Sequence, residues 1–314
     1  MSKRTKASLT AGLKIGVSIA LVVVLVLTAD IQEIAGRVAH FKPLSCVPVF
    51  FFILLGVVLS SLKWGILLKA QGILIPAFRL FQYYTAGFFF NNFLPSSIGC
   101  DGIRVMLLKK EFNSYAGAAS SVVMERVLAT VTLSLLGLAG ALFARSPSRP
   151  AIIALSGVFV LGVILTVVQL TGFVPRAFAA GTTKFALGWK NFASASTDIR
   201  KHPVYLLICL AESLLFQMSV ALAVGSIIFG LGLPSLPLAD LFFVSSASSV
   251  VAMIPLGVNG YGFREGGYIY LLAPLGYAAS GAFSISILFA LFVAAYSLLG
   301  AVFWITIQRR MRRR

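Results

Sequence analysis

Asn92-Phe93-Leu94-Pro95-Ser96-Ser97-Ile98-Gly99-Cys100-Asp101-Gly102-Ile103-Arg104 closes one long apolar stretch, and Ala252-Met253-Ile254-Pro255-Leu256-Gly257-Val258-Asn259-Gly260-Tyr261-Gly262-Phe263-Arg264 closes another. In both, a proline stands nine residues before an arginine and a glycine stands two before it. Proline removes a backbone donor and glycine loosens a helix, so each segment reads as a helix that breaks. The preceding stretches, 80–99 and 238–258, are apolar enough to lie in a bilayer. Non-helical backbone at that depth survives only inside protein or beside a wet cavity.

Composition points to the same solvent. Of 314 residues, 59% are hydrophobic and 11% charged, against about 25% charged in soluble domains. So much apolar surface would drive association in water. Runs at 13–29, 45–68, 116–143, 150–171, 204–231 and 281–307 are each long enough for a spanning helix, which takes about 20 apolar residues. Residues 172–203 instead mix Arg176, Lys184, Lys190, Asp198, Arg200 and Lys201 with Phe178, Phe185, Leu187, Trp189 and Phe192. That pattern suits an amphipathic helix on the membrane surface and leaves no room for a catalytic domain. The run Ile15–Leu27 follows basic residues as a signal peptide would, but no small-residue cleavage site follows, so it reads as a retained helix.

The expected fold is therefore an all-α integral membrane protein, with about six full transmembrane helices plus two re-entrant or broken segments. It forms one membrane domain, 1–314: a first half 1–171 with its break in 80–104, the surface helix 172–203, and a second half 204–314 with its break in 238–265.

The net charge of +17, from 26 basic and 9 acidic residues, gathers at the ends of apolar runs, as in Lys3, Arg4, Lys6 and the tail Arg309–Arg314. Such clusters set topology and attract anionic headgroups, a reading that displaces nucleic acid as the partner. Both termini should face the cytoplasm across the cytoplasmic membrane, as should the basic segments 69–79, 104–111 and 176–201; Arg145 and Arg149 dissent. Segment 80–103 then enters and leaves from inside, and 238–264 from outside, which suggests inverted repeats. An eight-crossing arrangement meets the charge pattern too. Paired broken segments at corresponding positions are a sequence pointer to a transporter site. Cys46, Cys100 and Cys209 form no CxxC pair and His40 and His202 are the only histidines, so neither a metal site nor a cofactor is expected.

Candidate substrate-facing residues cluster at the breaks: Asn91, Asn92, Pro95, Ser96, Ser97, Gly99, Asp101, Gly102 and Arg104 at the first, and Asn259, Gly260, Tyr261, Gly262, Arg264 and Glu265 at the second. Glu125, Arg126 and Glu212 join them as ionisable groups within or at the start of apolar runs. Such groups cost about 2.5–3.5 kcal/mol each to insert, so they pair or serve a function. Arg104 and Arg264 suit phosphate, whose oxygens match a guanidinium fork, and loosened glycine amides offer anion-binding nests. A purely structural reading pairs Asp101 with Arg126 and Arg264 with Glu265. It leaves Asn91, Asn92 and the serines Ser245, Ser246, Ser248 and Ser249 as helix caps.

The run Asn92 to Arg104, Glu125-Arg126, and Pro255 to Glu265 together resemble the lysylphosphatidylglycerol synthase transmembrane family, the flippase-like domain. Its pattern has an asparagine and proline before Gly-Gly-Asp-x-x-Arg, an acidic-Arg pair on the next helix, and a late Gly-x-Gly-x-Arg-Glu. Cys100 stands where the second glycine of the first motif is usual, which weakens any need for glycine flexibility there. The resemblance covers nearly the whole chain and lacks the separate synthase domain, so it implies movement of lipid without its synthesis. The expected function is a lipid flippase or transporter for an anionic or polyprenyl-phosphate-linked lipid, without catalytic residues. The alternatives are an intramembrane lipid or glycosyl transferase using Asp101, Glu125, Glu212 or Glu265 as base, and a non-catalytic partner of a lipid-biosynthetic enzyme.

Overall fold

A computed structural model describes residues 31–91, 98–112, 115–175, 181–254 and 260–312, and their regular structure is entirely helical. The helices are α1 (Ile31–Ala39), α2 (Cys46–Ala70), α3 (Ala77–Asn91), α4 (Ile98–Phe112), α5 (Tyr115–Ala141), α6 (Arg149–Thr171), α7 (Lys184–Arg200), α8 (Pro203–Gly230), α9 (Leu238–Ala252), α10 (Phe263–Leu272) and α11 (Ala279–Arg312). Five stretches are long and apolar enough to cross a membrane: Pro43–Ala70, Tyr115–Ala141, Arg149–Thr171, Pro203–Gly230 and Ala279–Met311. They match five of the six expected spans to within a few residues. The sixth, 13–29, lies outside the described residues, as do Asn92, Pro95, Ser96, Ser97 and Asn259.

Local chemistry sets the ends. Proline stands in the first turn of α6 and of α8, where its missing N–H costs nothing. Gly172 ends α6 with φ of 64°, a left-handed cap that an L side chain resists. Helix α1 lies between the expected runs 13–29 and 45–68, and its Glu33 and Arg37 pair one turn apart at 2.7 Å. Helix α7 lies within the expected amphipathic segment and buries Ala186, Ala193, Ser196 and Ile199 against its neighbours.

Helix α5 is the hub, packed against α2, α4, α6, α7, α8 and α9. Its buried Gly117, Ala118, Ser120, Ser121, Gly137 and Gly140 let other backbones come close, the usual device for packing helices in lipid. A Cβ on Gly140 would stand 2.8 Å from both the Ala239 carbonyl oxygen and the Phe243 amide of α9. In the same way, a Cβ on Gly300 of α11 would run into the Thr85 carbonyl oxygen of α3.

The four remaining helices are short. Fifteen residues make α3, α4 and α9, and ten make α10; fifteen span about 22 Å, less than the roughly 30 Å of hydrocarbon. They pair as two hairpins. Tyr84 and Gly87 of α3 meet Arg104 and Cys100 of α4, and Ser248 of α9 meets Gly267 of α10. The base of the first hairpin adjoins the start of α5. The second begins at the end of α5, where the Asp240 carboxylate accepts the Arg145 amide at 2.9 Å and pairs with its guanidinium at 3.3 Å. The two hairpins therefore approach α5 from opposite ends.

Candidate functional site

The register of the hairpins on α5 sets where their breaks fall. At the first, Asp101 and Arg104 of α4 bond Arg126 and Glu125 of α5. At the second, Gly137 of α5 abuts Ser246 of α9. Ala252 lies six residues beyond Ser246, about 9 Å, and Arg126 lies eleven residues before Gly137, about 16 Å. The end of α9 thus lies within about 8 Å, along the α5 axis, of the level of Arg126. The end of α9 and the first turn of α4 both fall beside the middle of one spanning helix.

The first cluster draws on five helices. Arg104 is wholly enclosed. Its guanidinium lies between the rings of Trp64 and Tyr84, 4.2 and 4.3 Å from their centroids. It bonds Glu125 Oε2 at 2.5 Å and reaches Asp101 at 3.4 Å. The other Glu125 oxygen accepts the Tyr84 hydroxyl at 3.1 Å and lies 3.8 Å from Lys63 Nζ. Lys63 in turn donates to Ser213 Oγ at 3.0 Å, and Trp64 Nε1 donates to Ser121 Oγ at 3.0 Å. Fully desolvated charges persist only when paired and hydrogen-bonded in this manner.

At the edge of this cluster the arrangement opens. Arg126 grips Asp101 through two contacts of 3.0 Å, Nε to Oδ2 and Nη2 to Oδ1, and its side chain is 46% exposed against 19% for Asp101. The exposed guanidinium of the cluster is therefore that of Arg126, while Arg104, matched to phosphate by the sequence, is sealed beneath it. Glu212, half-buried on α8 beside Ser213, leaves Oε2 without a hydrogen-bond partner among the described residues.

The second cluster is more compact. Gly260 and Gly262 hold φ of 75° and 86°, left-handed values that favour glycine. A Cβ on Gly260 would also stand 2.6 Å from the Ala252 carbonyl oxygen. The turn delivers Glu265 into the first turn of α10, where a carboxylate suits the helix dipole. Fully buried, Glu265 accepts the Gly262 amide at 2.6 Å and the Ser286 hydroxyl at 2.8 Å. Arg264 donates to Ser286 Oγ at 3.0 Å and to Glu265 Oε1 at 3.2 Å, with the Tyr261 ring 5.4 Å away.

Both ion pairs foreseen by the structural reading are thus formed. Asn91 ends α3, and Gly99 and Gly102 lie in the first turns of α4. The serines do not cap: Ser245, Ser246, Ser248 and Ser249 all sit inside α9, where Ser249 donates to the Ser245 carbonyl. Sequence reasoning missed Lys63, Trp64, Tyr84, Ser213 and Ser286. Lys63 carried a legible signal, a lone charge in the middle of an apolar run.

The family model described as "Lysylphosphatidylglycerol synthase TM region" matches residues 13–300. No curated protein and no solved structure matches.

Proposed function

The chain belongs to the lysylphosphatidylglycerol synthase TM-region family, and from that premise we propose that it carries an anionic or polyprenyl-phosphate-linked lipid across the cytoplasmic membrane, without altering it chemically. Family membership supports a membrane protein of lipid biosynthesis or flippase-like processes. The observation that carries the finer reading is that the end of α9 and the first turn of α4, in hairpins approaching from opposite ends, both fall beside the middle of α5. Broken helices at mid-membrane are where transporters bind substrate.

The chemistry follows from the exposed pair. Asp101 holds Arg126 as a phosphate would, through two parallel contacts. A lipid phosphate competes for that fork, and the displaced Asp101 keeps a cation in Arg104, already 3.4 Å away. Arg264, with its own carboxylate and hydroxyl partners, offers a second guanidinium on the other hairpin. Both termini face the cytoplasm in this reading.

Transbilayer movement of a fluorescent phosphatidylglycerol in proteoliposomes tests it. Arg126→Gln and Arg264→Gln should each slow movement at least tenfold, while Arg126→Lys, which keeps the charge and loses the fork, should retain an intermediate rate. Wild-type rates in both glutamine variants, with the protein folded, overturn the reading. Conversion of the lipid to a new species in detergent would replace it with an enzymatic one.

A further inference from the structure

A cavity of about 930 Å³ lies between α5, α6 and α7, and no side chain of either ion cluster is among its lining residues. Its walls include Ala119, Val123 and Val127 of α5, Val168 of α6, and Trp189 and Phe192 of α7. The volume is at the upper end of the range for small-molecule sites. The α5 residues recur at helical spacing, so the cavity runs along that helix for more than two turns, as an extended chain would. Two buried polar groups interrupt the apolar lining, Gln169 and Ser196, and Ser196 pairs its hydroxyl with that of Ser120 at 2.8 Å. Gln169, 7% exposed, donates Nε2 to the Ser120 carbonyl at 2.8 Å and leaves Oε1 without a partner among the described residues. It lies in the last turn of α6, close to the start of α5.

Cations gather at that same end. Lys109 Nζ lies 5.6 Å above the ring of Tyr115, a lining residue, and Lys190, next in sequence to the lining residues Trp189 and Asn191, donates one of its three N–H groups to the Gly181 carbonyl at 3.2 Å. An apolar slot with an unpartnered acceptor and two lysines at its polar end matches an amphiphile of anionic headgroup. We infer that this cavity is a binding site for one membrane lipid. Its hydrocarbon chain lies along Val123 and Val127, its hydrogen-bond donor meets Gln169, and its anionic end lies near Lys109 and Lys190. The site goes beyond the transport reading and does not depend on it, because none of these residues belongs to the Arg126 or Arg264 clusters.

The test uses the full-length protein in nanodiscs with photoreactive lipids carrying a diazirine in the hydrocarbon chain. One arm uses phosphatidylglycerol, a second a polyprenyl phosphate, and a third phosphatidylcholine. Mass spectrometry should map the adducts of at least one anionic probe to 119–127, 165–169 and 189–193; the arm that labels identifies the chain. Val123→Trp and the milder Ala119→Leu, both checked for unchanged melting, should cut that labelling at least fivefold. Lys109→Ala with Lys190→Ala should lower labelling by the anionic probe relative to phosphatidylcholine. Labelling spread over all lipid-exposed helices, annular lipid only, overturns the inference, as does labelling indifferent to both cavity-filling variants. Labelling that persists in Arg126→Gln supports it. A labelled wild-type protein that moves no lipid leaves this site standing and removes the transport reading instead.

Discussion

The two hairpins share one spacing of proline, glycine and arginine and use it differently. In α3–α4 the arginine reaches outward: Arg104 and its neighbour Asp101 bond the next spanning helix, and the network extends through Tyr84, Lys63 and Ser213 to three more helices. In α9–α10 the arginine pairs with the carboxylate next to it in the chain, and among the described residues one further helix, α11, joins them through Ser286 and the Phe289 ring. A similar sequence pattern therefore builds a girder in one half and a local clasp in the other. The difference follows from where the carboxylate sits. Glu265 is adjacent to its arginine, whereas Glu125 lies 21 residues from Arg104.

If the first hairpin is the girder, the largest loss should come from removing its central cation. Arg104→Met should destabilise the protein by about 3–5 kcal/mol, since it strands Glu125 without its principal partner. Thermal unfolding in detergent measures this, and the triple variant that adds Glu125→Leu and Lys63→Met, which leaves neither buried partner charged, should recover most of the loss. Failure to recover would mean that the ring stack on Trp64 and Tyr84, rather than charge, holds the helices.

The clasp should break through its backbone. Gly260→Ala imposes a strained φ and a close contact with the Ala252 carbonyl, a cost of about 1–3 kcal/mol. Ala at Gly102, whose Cβ would meet nothing within 4 Å, should cost less than about 0.5 kcal/mol. Equal losses at the two positions would erase the contrast between the hairpins.

The exposed pair should also contribute little to stability. Arg126→Gln should change unfolding by about 1 kcal/mol or less, because a half-exposed ion pair contributes little. Its loss in transport should nonetheless be tenfold or more. A variant that loses both together would assign Arg126 to the girder.

Much of this architecture was legible because the bilayer demands simple patterns. Five described spans could be read from runs of apolar residues, and the ends of α3 at Asn91 and of α9 at Ala252 fall a few residues before Pro95 and Pro255, where the breaks were expected. Partner choice was not legible, because it depends on which faces meet. Trp64 and Tyr84 look like any aromatic in an apolar run until Arg104 is found between them. Ser286 is one of several small polar residues in α11 until Arg264 and Glu265 meet on it. The choice between Arg104 and Arg126 turned on depth alone, which a linear sequence does not carry.

The glycine contacts of α5 and α11 divide each hairpin into unlike limbs. The incoming limbs, α3 and α9, lie backbone against backbone on a long helix, at Gly300 and Gly140, with no slack to slide or swing. The returning limbs, α4 and α10, attach to their long neighbours through reversible bonds between charged and hydroxyl side chains. A side chain added at Gly300 or Gly140 should therefore push a whole limb off its long helix, whereas a side-chain change on α4 or α10 leaves those backbone contacts in place.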